Sequence, residues 1–174
     1  MQALKQRQAT ELYRLAYLLT GDSETSLDVA LDAIEESETS FFSQWMAAWS
    51  RRVVIAKALV AIRAELTASA ARTPQGCARN RPLPPAGWTL PSDASAAELD
   101  RALLAIDAFP RCALLLTVFE RVALHDAAIL LDSTEARVEN ARNFALCDLA
   151  VNLAPSPTSD AGRFSVITGE MQHA

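Results

Sequence analysis

Cysteine, histidine and glycine are all scarce in this chain of 174 residues, and each scarcity removes a class of chemistry. The three cysteines, Cys77, Cys112 and Cys147, are odd in number and far apart, and the two histidines are His125 and His173. A zinc site takes about four ligands, usually in close pairs, so no metal centre is expected and the cysteines read as reduced thiols. The five glycines are scattered, which excludes a phosphate-cradling glycine loop. No run approaches the roughly 18 uninterrupted apolar residues of a membrane span. The N-terminal Met-Gln-Ala-Leu-Lys-Gln-Arg-Gln lacks the apolar stretch of a signal peptide. A cytoplasmic location is therefore the default expectation. Acidic pairs have no histidine or metal partner, and no nucleophile sits in a recognisable setting, so the chain does not read as an enzyme and implies no cofactor.

What is present is apolar surface. A hydrophobic fraction of 51% is enough for a core and excludes wholesale disorder. The net charge of −5 gives no global attraction to nucleic acid, so DNA binding would need a local basic patch.

The periodicity is helical and the expected fold is all-α: two small helical domains joined by a Pro-rich linker. Leu12, Leu15, Ala16 and Leu19 recur at the spacing of one helical face, and Gly21 ends that segment. Thr25 followed by Asp28 has the spacing of a capping box for the next helix. That helix puts Leu27, Ala30, Leu31 and Ile34 on one side and is strongly acidic. A third segment, from about Phe41 to Leu66, repeats Phe42, Trp45, Trp49, Val53, Ala56 and Val60 as expected core. It carries Arg51, Arg52, Lys57 and Arg63, the densest positive charge of the N-terminal half. Residues 1–68 thus form one expected helical unit.

Residues 69–97 hold Pro74, Pro82, Pro84, Pro85 and Pro91 with Arg72, Arg79 and Arg81, and read as a semi-extended basic linker. Order returns at Ser95, whose spacing to Glu98 fits a capping box. Leu99, Leu103 and Ile106 follow on one face. Pro110 suits a first helical turn, and Leu114, Leu115, Val118 and Val122 continue the core. Residues 98–152 form the second expected unit. Residues 153–174 read as a frayed tail, in which Phe164–Ile167 is a candidate docking segment.

Residues 126–149 read as helix, tight turn and helix, the layout of a DNA-binding helix-turn-helix. A second helix from Thr134 to Ala150 would span about 25 Å at about 1.5 Å per residue. Val138, Ala141, Ala145 and Leu149 would pack inward. Arg137, Asn140, Asn143, Phe144, Cys147 and Asp148 would lie nearer the groove or solvent.

Several short stretches, in order, resemble the extracytoplasmic-function sigma factors of bacterial RNA polymerase. Leu12-Tyr13-Arg14-Leu15-Ala16-Tyr17 followed by Leu19-Thr20-Gly21-Asp22 looks like the start of the family's region two. Asp28-Val29 matches the acidic position of its polymerase-binding helix. Ile55-Ala56-Lys57-Ala58-Leu59 is similar to its Ile-Ala-Arg-Asn-Leu stretch, and Phe109-Pro110-Arg111 to the Leu-Pro that opens region four. Asp126 through Leu131, then Thr134, Val138, Ala145 and Leu149, follow its helix-turn-helix. The resemblance covers about residues 9–66 and 99–150.

The resemblance implies a transcription-initiation protein with core RNA polymerase and promoter DNA as partners. Asp28, Leu31, Asp32 and Glu35 would meet the polymerase. Arg51, Arg52, Lys57 and Arg63 would face the minus-ten element. Thr134, Arg137, Asn140, Arg142 and Asn143 would face the minus-thirty-five element.

The departures from the family are equally specific. Ala58 stands for an asparagine, and alanine cannot hydrogen-bond a base or sugar. Leu31 stands for a glutamine, and the stretch between Asp28 and Trp49 is shorter than the family's. Asp132 replaces the turn glycine, though Asp tolerates left-handed geometry better than most residues. The second helix sets Arg137 and Arg142 against Glu135, Glu139 and Asp148, and each lost phosphate contact weakens salt-dependent binding. Phe144 would be an exposed aromatic and a candidate partner contact. The alternative expectation is a diverged sigma-like scaffold acting through protein contacts: a dimer, or a complex with an anti-sigma or other regulatory protein. The basic residues of the third segment and the acidic residues of the second are equally what plain solvated faces contain.

Overall fold

The computed structural model describes residues 2–38, 43–73 and 94–154. The fold is all-α, and no strand occurs among the described residues. Helix α1 (Gln2–Thr20) buries Leu12, Leu15, Ala16 and Leu19. It stops at Gly21, whose φ of +75° is the left-handed geometry that glycine tolerates. Helix α2 (Ser23–Glu38) is capped by Asp22, which accepts from the Thr25 backbone N–H at 2.8 Å, not by Thr25. Its core side is Ser26, Val29, Ala30 and Ala33. Leu27 and Leu31, expected inward, are about half exposed.

The single helix expected up to Leu66 is two: α3 (Ser43–Ala61) and α4 (Arg63–Arg72). Ile62 (φ −101°, ψ 17°) departs from helical geometry. Yet Ile62 N–H still bonds Ala58 O and Leu66 N–H bonds Ile62 O, so the joint is a distortion, not a full break. Helix α4 extends to Arg72, four residues into the stretch expected to be linker. The buried stripe of α3 is Val54, Ile55, Ala58 and Leu59, while Trp49 and Val60 are 54% and 66% exposed. Apolar residues run around most of this helix, so local spacing did not select its inward face. Phe42 and the side chain of Trp45 lie outside the described residues, as do linker residues 74–93, with Arg79, Arg81 and Cys77, and the tail from 155 on.

Helix α5 (Ala96–Leu104) realises the expected capping box, with Ser95 and Glu98 bonding each other's backbone N–H. It therefore begins two residues before the expected boundary at 98. Helix α6 (Ala108–Leu114) is capped by Asp107 and buried at every position. A π-helical turn follows (Leu115–Phe119). Its wider winding rotates the chain, leaving Val118 45% exposed instead of in the core. Helices α7 (Leu124–Leu130) and α8 (Glu135–Asn152) complete the described chain.

One continuous core takes Leu12 and Leu19 from α1, Val54 and Leu59 from α3, Leu66 from α4, and Phe109, Leu114, Val138 and Leu149 from the C-terminal helices. The two helical units are thus packed together, with α6 at the seam.

Arg111 is the polar centre of that seam. It is 5% exposed within the otherwise apolar α6. Its guanidinium donates to Ile106 O at 2.9 Å, Leu104 O at 3.3 Å and, across 92 positions of sequence, Leu19 O at 3.4 Å. It thereby caps the C-terminal ends of α5 and α1, where the helix dipole favours a cation. Gly21 gives it room, since a Cβ there would sit 3.1 Å from Nη2. Next to Arg111, Cys112 donates its thiol to Leu19 O, and burial pushes that thiol's pKa up to about 12. A thiol so placed is held in its protonated, weakly nucleophilic form.

Three further links join the units. Buried Ser69 of α4 accepts the Phe109 backbone N–H at 2.9 Å. The Arg72 guanidinium beside Asp107 holds its carboxyl below the usual range. Arg14 binds Asp100 through both carboxylate oxygens, which raises the arginine's pKa.

Candidate nucleic-acid and protein interface

Residues 124–152 form a helix-turn-helix. Leu131 ends α7, and Asp132 takes the left-handed position at φ +49°. Ser133 N–H bonds Ala128 O at 2.9 Å and Asp132 N–H bonds Ile129 O at 3.1 Å. That pair of bonds is a Schellman closure, with Asp where Gly is commoner. Thr134 then caps α8 through the Arg137 backbone N–H. His125 and Glu135, 2.9 Å apart, tie the two helices on the outside.

Helix α8 buries Val138, Ala141, Ala145 and Leu149, as their spacing predicted. Phe144 and Cys147, expected toward solvent, are buried as well, at 7% and 6% exposed. The exposed aromatic that suggested Phe144 as a partner contact is therefore absent. Its side chain belongs to the packed interior, where a large apolar ring gains most.

The arginines of α8 are engaged. Arg137 turns back toward the N-terminal unit: Nη2 donates to Ala70 O at the end of α4 at 2.6 Å, and the guanidinium lies 5.9 Å from the Phe109 ring centroid. Its Nε is buried with no partner among the described residues. Arg142 is 28% exposed and pairs with Glu139 at 3.3 Å. Asn140 is half-buried and Asn143 exposed. The first three turns of α8 present Glu135, Ala136, Glu139 and Asn143 to solvent, and no cation.

The region-two candidates separate in the same way. Lys57 pairs with Asp32 at 3.0 Å, joining α3 to α2. Arg51 binds Glu120 through two guanidinium nitrogens, which raises its pKa. Arg63 is 60% exposed and 3.5 Å from Asp132 of the helix-turn-helix, and Arg52 is exposed. These four cations do not form one stripe: two are paired within the body, and Arg63 faces the turn. Ala58 is fully buried, so at this position an asparagine would face the core. By contrast Asp28, Leu31, Asp32 and Glu35 all lie on the open side of α2.

Helical spacing alone does not single out Arg111, Ser69 or Arg121. The signal for Arg111 was available: it is the one charge in Ala-Phe-Pro-Arg-Cys-Ala-Leu-Leu-Leu, and a lone cation in an apolar run needs buried acceptors. Arg121 has φ +54° with no glycine nearby to advertise it.

No group of residues fit to hold a metal ion occurs among the described residues. No helix among them is long and apolar enough to cross a membrane. No family model matches the chain, and neither a curated protein nor a solved structure matches it.

Proposed function

We propose that the chain is a sigma-factor-like transcription-initiation protein, acting in the cytoplasm on core RNA polymerase and promoter DNA. The observation that carries the reading is the helix-turn-helix, with its left-handed turn at Asp132 and its capped second helix. It stands behind a helical unit whose acidic helix α2 keeps an open face. That face, Leu27 and Leu31 among Asp28, Asp32 and Glu35, suits a basic, partly apolar surface on the polymerase. Residues 98–152 would then serve the minus-thirty-five element and residues 1–68 the minus-ten element. The test is a pull-down of core polymerase by the full chain, with footprinting on promoter fragments at low salt. The reading predicts retention and protection; neither retention nor a footprint would sink it.

A second reading, a diverged sigma-like scaffold working through a dimer, an anti-sigma protein or another partner, is favoured by one observation. Arg137 and Arg142 are occupied within the molecule, and the outward face at the start of α8 is acidic. Strong, salt-sensitive DNA binding that Arg137→Ala plus Arg142→Ala abolishes would count against this scaffold.

A further inference from the structure

A cleft lies between α3 and the stretch that runs from Glu120 through α7, on the side of the first helix of the helix-turn-helix. Its volume is about 880 Å³, within the roughly 300–1,000 Å³ common for small-ligand sites. Arg52 stands on the α3 wall and Arg121 on the opposite wall. Both are exposed, and neither side chain has a hydrogen-bond or ion-pair partner among the described residues. Arg51 and Glu120 bridge the same cleft and neutralise each other. Two unpaired guanidinium groups therefore face one remaining carboxylate, Asp126. Between them lies apolar surface from Ile55, Val122 and Leu130.

Arg121 is the informative residue. Its φ of +54° lies in the left-handed region that only glycine enters without strain. The left-handed position at Arg121 closes the π turn, with Val122 N–H bonding Leu116 O at 2.9 Å, and a glycine would take it without strain. The side chain placed there lines the cleft as an exposed guanidinium without an ion-pair partner among the described residues, a group suited to an anionic ligand.

From these features we infer that the cleft binds a nucleotide-sized organic phosphate. Its phosphate groups sit between Arg52 and Arg121, its ring lies on Ile55, Val122 and Leu130, and Asp126 accepts from a ring N–H or sugar hydroxyl. Guanidinium groups match phosphate oxygens in charge and geometry. A nucleic-acid strand fits less well: Asp126 and the net charge of −5 repel a continuous polyanion, and two cations release few counterions. The inference does not rest on promoter recognition. Because the walls come from both helical units, the ligand would also stabilise their packing by mass action.

The experiment is calorimetric titration and thermal melting of the full chain, without DNA or polymerase, using ATP, inorganic pyrophosphate and a short single-stranded oligonucleotide as probes. ATP is expected to bind saturably at one site and raise Tm, and pyrophosphate to bind at least about tenfold more weakly for want of the ring. Arg52→Ala and Arg121→Gly should each weaken ATP binding by about tenfold or more. Arg121→Gly should at the same time raise the ligand-free Tm by about 2–4 °C as the strain is relieved. Arg101→Ala, outside the cleft, should leave ATP affinity unchanged. Four results would each overturn the inference: no saturable ATP binding, ATP binding indifferent to both cleft variants, pyrophosphate binding as tight as ATP, or tighter binding of the oligonucleotide through the same arginines.

Discussion

Helices α2 and α8 are the two elements on which the sigma-like reading depends, and they use their surfaces in opposite ways. Helix α2 turns small residues inward, Ser26, Ala30 and Ala33, and leaves Leu27 and Leu31 in solvent among carboxylates. Helix α8 turns nearly everything large inward, including Phe144 and Cys147, and sends Arg137 across to α4. One helix keeps an exposed face of leucines and carboxylates, with Asp32 alone tied to Lys57; the other is part of the joint between the two units. A charge on a helix becomes a binding charge only if the fold does not use it first. That rule separates these helices more sharply than a count of basic residues.

The comparison breaks most completely at Arg111. Arg111→Ala leaves three carbonyls at two helix ends without their cation, and should destabilise the chain by about 3 kcal/mol in denaturant unfolding. Gly21→Ala attacks the same contact from the other side, through both its positive φ and the 3.1 Å approach to Nη2, and should cost about 2 kcal/mol. A change below about 0.5 kcal/mol in either variant would show that the seam does not depend on this contact.

Arg137→Ala tests α8 directly. Loss of the bond to Ala70 O and of the Phe109 contact should cost about 1–2 kcal/mol. Were Arg137 a solvated DNA-facing side chain, the same change would leave stability near wild type and weaken only DNA binding.

A smaller effect is expected from acid. Asp107 has its pKa lowered by Arg72, with further bonds from the Ala108 backbone N–H and the Ser69 hydroxyl. Its folded pKa lies below its unfolded value of about 3.9, so its contribution is complete above that pH and is lost as pH falls through the folded pKa. Stability measured against pH should therefore fall below about pH 4, and less steeply in Asp107→Asn; identical acid limbs in the two proteins would remove the Arg72–Asp107 link from the account. The effect is modest because both side chains are substantially exposed.

The smallest change in stability belongs to α2. Leu31→Asp should stay within about 0.5 kcal/mol of the parent, while retention by core polymerase, if the proposed function holds, should drop. A large loss of stability would mean that this face is part of the body after all.

Much of this fold was legible in the residues. Local rules were enough where partners are local: the stripe Leu12, Leu15, Ala16 and Leu19, the Ser95–Glu98 box and the left-handed Asp132. They failed where the deciding neighbour is distant or the winding changes. Trp49 and Val60 looked like core because α3 is apolar around most of its circumference, and only its packing against α1 and α2 selects the inward side. Val118 was displaced by the π turn, which the α-helical period cannot anticipate. The site was less legible than the fold. The arginines of α8 were found, but not their occupation, because Ala70 lies 67 positions from Arg137. Arg111 was visible as a residue, whereas its acceptor Leu19 was not visible as a neighbour.

Native-state hydrogen exchange reports whether the two helical units open as one cooperative body joined through α6. The backbone amides of buried α1 residues such as Leu19 and those of α6 and α8 such as Leu114 and Ala145 should open with the same free energy, and Arg111→Ala should lower all of them together. If the α6 and α8 amides exchanged at a distinctly lower free energy, or if Arg111→Ala lowered theirs and left those of α1 unchanged, the units would be separate bodies and the account would be contradicted.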